Sequence, residues 1–305
     1  REILETALTG FTTAERSSRT PSEWRTAMNT PCRVVRVLLV AVLSTTCDLR
    51  CAQSGADDGP RKVALLVGVN KYLKPGFKNL QFAEADVQAV GEELKKLGFE
   101  VTFLLGSGKG EQQATRVNLE AAARRLVAPL GKDDLALVML SGHGQQLMVP
   151  SDSDASTAES FYCPVDAIVN QPNTQFSLTL LLDTILAPNV GRKLLLVDAC
   201  RDAPVDETRG GRNTKGIEGR VISLPEDTGV FFSCRAGQIS FEREELGHGL
   251  FSHCVLDALR GGAAAAENGE ISWSRLVAHV DERMNDPDLT KLMPAELRQV
   301  PIPAG

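Results

Sequence analysis

The sequence is poor in aromatic residues and cysteines, and it has no long apolar run. Only 5% of its 305 residues are aromatic, with two tryptophans and two tyrosines. Its seven cysteines are far fewer, for this length, than a disulfide-stabilised scaffold carries. No apolar run reaches the roughly 18 to 20 residues that a membrane-spanning helix needs. These shortages argue against a disulfide scaffold and against an integral membrane protein.

A basic excess is also missing. The chain has 33 basic and 39 acidic residues, which gives a formal net charge of -6. Nucleic-acid-binding proteins usually carry a positive surface that neutralises phosphates, so no nucleic-acid partner is expected. Hydrophobic residues make up 43% and charged residues 24%, as in folded globular proteins. The composition leaves the oligomeric state open.

The amino-terminal part of the chain is expected to lie outside the folded domain. Arg33 and Arg36 follow Met28 and precede a short apolar stretch at 37–43, a pattern that resembles a secretory signal peptide. The alternative is that this stretch is a buried strand or part of a disordered leader. We expect an over-extended or disordered leader, a signal peptide, a linker and one folded domain, at 1–27, 28–52, 53–60 and 61–305. The protein would then be secreted or periplasmic, and cytoplasmic if the signal is not real.

Apolar runs and amphipathic stretches alternate beyond residue 61. The apolar runs predict strands at 63–69, 101–105, 135–141, 193–198, 230–233 and 297–302. The helical periodicity predicts helices at 82–97, 115–126, 178–186, 250–259 and 273–284. This alternation indicates an α/β fold, in which helices cover both faces of a mostly parallel sheet. A hairpin or loop is expected at 145–163.

Two of the predicted strands end in reactive side chains. The third runs into Gly142-His143-Gly144, and the fourth into Asp198-Ala199-Cys200. Ligands bind beyond the carboxyl ends of parallel strands, so His143 and Cys200 are predicted to meet at one edge of the sheet. A histidine beside a cysteine can generate the thiolate that attacks a carbonyl group. The backbone N–H groups of Gly144 and Cys200 are the candidate donors to the resulting oxyanion.

These motifs resemble those of caspase-like cysteine peptidases (peptidase family C14), most closely the metacaspases, paracaspases and bacterial orthocaspases. The matching segments are 64–72, 83–86, 141–144, 198–201 and 231–242. The resemblance implies a three-layer sandwich around a six-stranded, mostly parallel sheet. It also implies hydrolysis of peptide bonds through a thioacyl-enzyme, with His143 and Cys200 as the dyad. No cofactor or metal is predicted, and a response to calcium, which some metacaspases show, stays open.

The resemblance also suggests a preference for basic substrates. In metacaspases and paracaspases, an acidic residue two positions before the nucleophile selects Arg or Lys at P1, the residue before the cleaved bond. Asp198 occupies that position here, and Asp86 and Glu242 match further acidic positions of the pocket. We therefore expect protein or peptide substrates with a basic P1 residue. The alternatives are that Asp86 caps a helix or faces solvent, and that Glu242 belongs to a solvated charged run.

The long connection at 201–228 is expected to be either a site of self-cleavage or an exposed surface loop. Its basic residues would suit a pocket that selects Arg or Lys; they are Arg209, Arg212, Lys215 and Arg220. Three other histidines, His248, His253 and His279, are interpreted as structural because no ligands stand at metal-binding spacing beside them.

The sequence leaves two rival functions open. One is a catalytically silent binding or scaffolding module with the same fold. The other is a flavodoxin-like nucleotide or phosphate binder, although the segment after the first predicted strand offers no obvious phosphate-binding loop.

Overall fold

The computed structural model describes residues 59–150, 157–186, 191–199, 224, 226–235, 238–262, 271–294 and 298–304. All of them lie in one compact unit, Asp57–Gly305. The predicted leader and signal peptide lie outside the described residues, as does most of the 201–228 connection. None of the described helices is long and apolar enough to cross a membrane.

The described chain contains eleven strands and six α-helices. The strands are β1 (Lys62–Gly68), β2 (Glu100–Leu105), β3 (Leu135–Gly142), β4 (Gly144–Val149), β5 (Thr157–Tyr162), β6 (Phe176–Ser177), β7 (Arg192–Ala199), β8 (Thr228–Phe232), β9 (Glu242–Arg243), β10 (His248–Gly249) and β11 (Ile302–Ala304). The helices are α1 (Ala83–Lys96), α2 (Arg116–Val127), α3 (Leu178–Leu180), α4 (Leu250–Asp257), α5 (Trp273–Met284) and α6 (Pro287–Thr290).

Six strands form the main sheet in the order β2-β1-β3-β7-β8-β11. Every neighbouring pair is parallel except β8 and β11, which run antiparallel. The central strands are nearly continuous apolar runs because helices bury both of their faces. The predicted α/β fold and the mostly parallel sheet are therefore confirmed.

Alternating residues of the sheet enter two separate hydrophobic cores. Leu66, Met139 and Leu196 pack with α1, α4 and α5 on one face. Leu65 and Leu140 pack on the other face with α2 and with the segment from 178 to 186. The protein is thus a three-layer sandwich with one helical layer on each side of the sheet.

Two small ladders lie outside the main sheet. Strands β4, β5 and β6 form an antiparallel sheet, which agrees with the hairpin expected at 145–163. Strands β9 and β10 form a two-residue antiparallel ladder that the sequence did not predict. This second ladder lies within a charged stretch, where no hydrophobic alternation marks a strand.

Two predicted elements differ from the structure. The chain from 178 to 186 is α-helical only in α3 and continues as a π-helix over Leu181–Leu186. The last strand begins at Ile302 instead of at 297. Gln299 is buried, and its amide binds Ser233 and Ser240 of another loop, so it tethers the chain before the strand begins.

Candidate active site

The ends of β3 and β7 form the framework of the candidate site. The two strands are adjacent, parallel and paired without offset, with Ser141 opposite Asp198 and Gly142 opposite Ala199. His143 directly follows β3, and Cys200 directly follows β7 in the chain. Cys200 itself lies outside the described residues. The register therefore brings the chain positions that lead to the predicted dyad to the same edge of the sheet.

The half-buried side chain of His143 is held by the loop after β1. Its Nε2 lies 2.8 Å from the backbone oxygen of Lys78. A carbonyl oxygen only accepts hydrogen bonds, so Nε2 carries the proton in this arrangement and Nδ1 is left as the basic nitrogen of the neutral ring. The ring also lies 5.3 Å from that of Tyr72 and 5.5 Å from that of Phe77, between centroids.

A tyrosine and a glycine fix the backbone at His143. The N–H of His143 donates a hydrogen bond of 2.8 Å to Tyr72 Oη. Gly142 has a φ of +152°, and a Cβ there would lie 3.1 Å from Tyr72 Oη and 3.2 Å from Tyr162 Oη. A larger residue at 142 would therefore push against both hydroxyl groups.

Gly144 starts the hairpin strand β4 and lies opposite Tyr162. Cys163 N–H donates to the His143 carbonyl at 2.9 Å, which makes Gly144 and Tyr162 a pair without hydrogen bonds between them. The Gly144 N–H therefore does not point toward β5. This orientation is compatible with the predicted role as an oxyanion donor.

Asp86 and Asp198, which we call the acid pair, lie together under this edge. Asp86 is 1% exposed and Asp198 5% exposed. A Cβ placed on Gly249 would lie 3.0 Å from Asp86 Oδ2 and 3.1 Å from Asp198 Oδ2. The structure thus brings together two acidic residues that are far apart in the sequence.

Each oxygen of the acid pair accepts one hydrogen bond from the residues that the structure describes. His248 Nδ1 lies 2.6 Å from Asp86 Oδ1, and Gly249 N–H donates to Asp86 Oδ2 at 3.1 Å. The hydroxyls of Ser240 and Ser252 donate to Asp198 Oδ1 and Oδ2, both at 2.6 Å. Four donors therefore orient the two carboxylates.

Burial is the main reason that the pKa of Asp86 rises from its ordinary value of 3.8 to about 6. The hydrogen bond from His248 opposes this rise, whereas the charge of Asp198 adds to it. Among the described residues, neither carboxylate forms an ion pair with a lysine or an arginine. The arrangement has the charge and the pre-oriented acceptors that a cationic side chain requires.

Glu242 has a different position from the acid pair. Its carboxylate accepts hydrogen bonds from the backbone N–H groups of Gln81 and Phe82, at 2.9 and 2.8 Å, just before α1. It stands opposite Gly249 in the β9–β10 ladder, so it borders the acid pair through the backbone. In this structure its side chain holds the loop that carries Lys78.

Several predicted site residues lie outside the described part of the chain. They are Cys200, Arg209, Arg212, Lys215 and Arg220. Within the described ranges, no group of three or more His, Cys, Asp or Glu side chains is arranged to hold a metal ion.

Sequence reasoning missed the residues that support the acid pair. The sequence indicates only a structural role for His248, and it indicates no role for Ser240, Gly249 or Ser252. One signal was available, since Gly247-His248-Gly249 repeats the pattern of Gly142-His143-Gly144. The carboxylate that His248 binds is 162 residues away in the sequence, so local spacing did not reveal it.

Comparisons with known proteins agree with this architecture. Residues 61–304 match the family model Peptidase_C14, described as the caspase domain. A comparison with curated protein sequences found no match. The crystal structure of protein GSU0716 from Geobacter sulfurreducens is similar, with a TM-score of 0.56 and 20% sequence identity. The match covers 80% of this chain and 93% of that one, and it shows similarity of fold.

The family model covers the whole sandwich from β1 to β11. It therefore includes both strands that lead to the predicted dyad and all four donors to the acid pair. With this match over most of its length, the chain belongs to the caspase-domain family of C14 peptidases.

Proposed function

We propose that this protein is a cysteine endopeptidase that cleaves peptide bonds after Arg or Lys. The observation that carries this proposal is the acid pair: two buried carboxylates converge on Gly249 without a lysine or arginine partner among the described residues. Asp198 is only two residues before Cys200, so a basic P1 side chain held there would bring its own carbonyl group close to the thiol.

The proposed reaction begins with proton transfer from Cys200 to His143 Nδ1. The thiolate then attacks the P1 carbonyl carbon, and the N–H groups of Gly144 and Cys200 stabilise the oxyanion. As the peptide bond breaks, the imidazolium returns its proton to the leaving amine. Water, deprotonated by His143, then hydrolyses the thioacyl-enzyme and releases the acid product and the thiol.

Electrostatics favours a basic P1 residue over an acidic one. A guanidinium group can donate hydrogen bonds to both carboxylates, and each charge-assisted bond contributes about 1.5–3 kcal/mol. An aspartate at P1 would bring a third negative charge next to Asp86 and Asp198 in a buried site.

Two fluorogenic peptides that differ only in Arg or Asp at P1 test the proposal. We expect the wild-type protein to cleave the Arg peptide much faster, and Cys200→Ala to cleave neither. Asp198→Asn should mainly raise KM for the Arg peptide. Faster cleavage of the Asp peptide would disprove the basic preference, and turnover by Cys200→Ala would disprove the thiol mechanism.

We also propose that the enzyme cleaves its own chain within 201–228. The basic residues there fit the proposed specificity; they are Arg209, Arg212, Lys215 and Arg220. Mass spectrometry of purified wild-type protein should show fragments that end at one or more of these residues. The Cys200→Ala protein should stay intact, and identical intact masses for the two proteins would refute self-cleavage.

A further inference from the structure

We infer that His248 is a positioning residue that sets how strongly the acid pair binds a basic side chain. The inference rests on the proposed function, because it assigns the acid pair to the P1 residue. It adds a residue outside the predicted dyad and pocket, and it predicts how the affinity for a basic side chain changes with pH.

The contact between His248 and Asp86 is short and largely shielded from solvent. The side chain of His248 is 20% exposed and that of Asp86 is 2% exposed, and their atoms lie 2.6 Å apart. Of the four donors to the acid pair, His248 is the one whose side chain binds Asp86; the other donor to Asp86 is the backbone N–H of Gly249.

Charged groups of four elements lie near His248. Asp86 of α1 contacts it, and Asp198 of β7 lies beside the next residue, Gly249. On β9, Arg243 is the cross-strand partner of His248, and its guanidinium lies 5.2 Å from the centre of the Phe241 ring. The neighbouring Glu242 binds backbone N–H groups before α1.

The histidine of α4 is the last of these neighbours. Burial is the main cause of the lowered pKa of His253, and its electrostatic interaction with His248 is the second cause. The imidazole of His248 itself contacts a carboxylate of the acid pair.

The hydrogen bond from His248 therefore controls how readily Asp86 keeps its negative charge. Burial raises the pKa of Asp86 to about 6, and the hydrogen bond from His248 opposes this rise while it orients the carboxylate. Without this bond, Asp86 would be protonated at a higher pH, and the acid pair would lose one of the two charges that attract a guanidinium group.

A binding measurement separates this inference from catalysis. The probe is N-acetyl-arginine amide, titrated by calorimetry between pH 5.5 and 8 into protein that carries Cys200→Ala. We compare the parent protein with His248→Asn, which keeps a donor near the position of Nδ1, and with His248→Leu, which has none. His279→Leu is the matched control, because His279 also binds a carboxylate, Asp257, at 2.8 Å but lies outside the acid pair.

We expect the parent to bind the probe more weakly as the pH falls. At pH 7.5, His248→Leu should bind about tenfold more weakly, and His248→Asn within about threefold of the parent. His248→Leu should also begin to lose affinity at a higher pH than the parent, because Asp86 no longer has the hydrogen bond that lowers its pKa. The pH profile of His248→Asn should stay close to that of the parent. His279→Leu should match the parent at every pH.

Three results would overturn the inference: no binding of the probe to the parent, equal affinities and pH profiles in all proteins, or a loss in His248→Asn as large as in His248→Leu. Urea unfolding identifies a variant that does not fold. If His248→Leu fails to fold, His248→Asn decides the result: an affinity within about threefold of the parent supports the inference, and a larger loss overturns it. Binding that depends on His248, in a protein whose wild type cleaves no peptide, would refute the proposed peptidase activity and leave the inference intact.

Discussion

The buried carboxylate of Asp86 should make the fold less stable at neutral pH. Its pKa is about 6 in the folded protein, against an ordinary value of 3.8. A tenfold change in proton affinity corresponds to about 1.4 kcal/mol, so the ionised carboxylate destabilises the folded state by about 3 kcal/mol relative to the protonated form. Because the folded-state pKa is the higher one, this penalty is absent below about pH 4 and fully present above about pH 6.

Replacement of Asp86 by Asn removes the titrating group and should remove this pH dependence. We predict that the free energy of unfolding of Asp86→Asn, minus that of the parent, increases by about 3 kcal/mol from pH 4 to pH 7.5. Urea unfolding at closely spaced pH values measures this difference, with Cys200→Ala in both proteins to prevent self-cleavage.

The slope with pH is the informative quantity. Asn also changes the hydrogen bonds to His248 and Gly249, and this adds an offset that shifts the whole curve. Asp288→Asn provides the control, because the side chain of Asp288 is 89% exposed. A difference between Asp86→Asn and the parent that stays constant from pH 4 to pH 7.5 would refute the reasoning.

Three further predictions concern the neighbourhood of the site. Gly249→Ala places a methyl group about 3 Å from both carboxylates of the acid pair. In steady-state kinetics KM for an Arg peptide should rise, and in urea unfolding the free energy of unfolding should fall by about 1–3 kcal/mol; an unchanged KM contradicts this. Tyr72→Phe removes the hydroxyl that accepts the His143 N–H, so the free energy of unfolding should fall by about 1–3 kcal/mol and kcat should decrease. Wild-type values of both quantities would argue against this role of Tyr72. Burial raises the pKa of Cys254 to about 12 and that of Cys163 well above its ordinary value, so iodoacetamide at pH 8 should label neither thiol in the folded protein and both in urea, as read by peptide mapping.

The central strands were predictable because helices bury them on both faces. This environment selects unbroken apolar runs, which appear in the sequence as 63–67 and 194–197. The β9–β10 ladder carries no such signal. It contains Glu242 and Arg243, whose charges are accommodated by backbone N–H groups and by an aromatic ring, and tertiary contacts rather than periodicity define these two strands.

The sequence likewise predicts some residues of the candidate site and not others. The positions of His143 and Asp198 follow from the topology, since both lie at the carboxyl ends of adjacent parallel strands. The partner of Asp86 could not be read from the sequence, because His248 approaches it from a ladder that was itself not predicted. The carbonyl group of Lys78 that holds the imidazole leaves no trace in the residue types, because every residue has a carbonyl group.

The in-register pairing of β3 with β7 limits which changes of length the protein can accommodate. One residue inserted into either strand would move everything after it by about 3.3 Å and turn each following side chain to the opposite face of the sheet. An insertion in β3 would displace His143 from its contact with the Lys78 carbonyl, and one in β7 would displace Asp198 from Asp86. Loops elsewhere can lengthen at a small entropic cost, whereas the lengths of these two eight-residue strands determine where the residues of the candidate site lie.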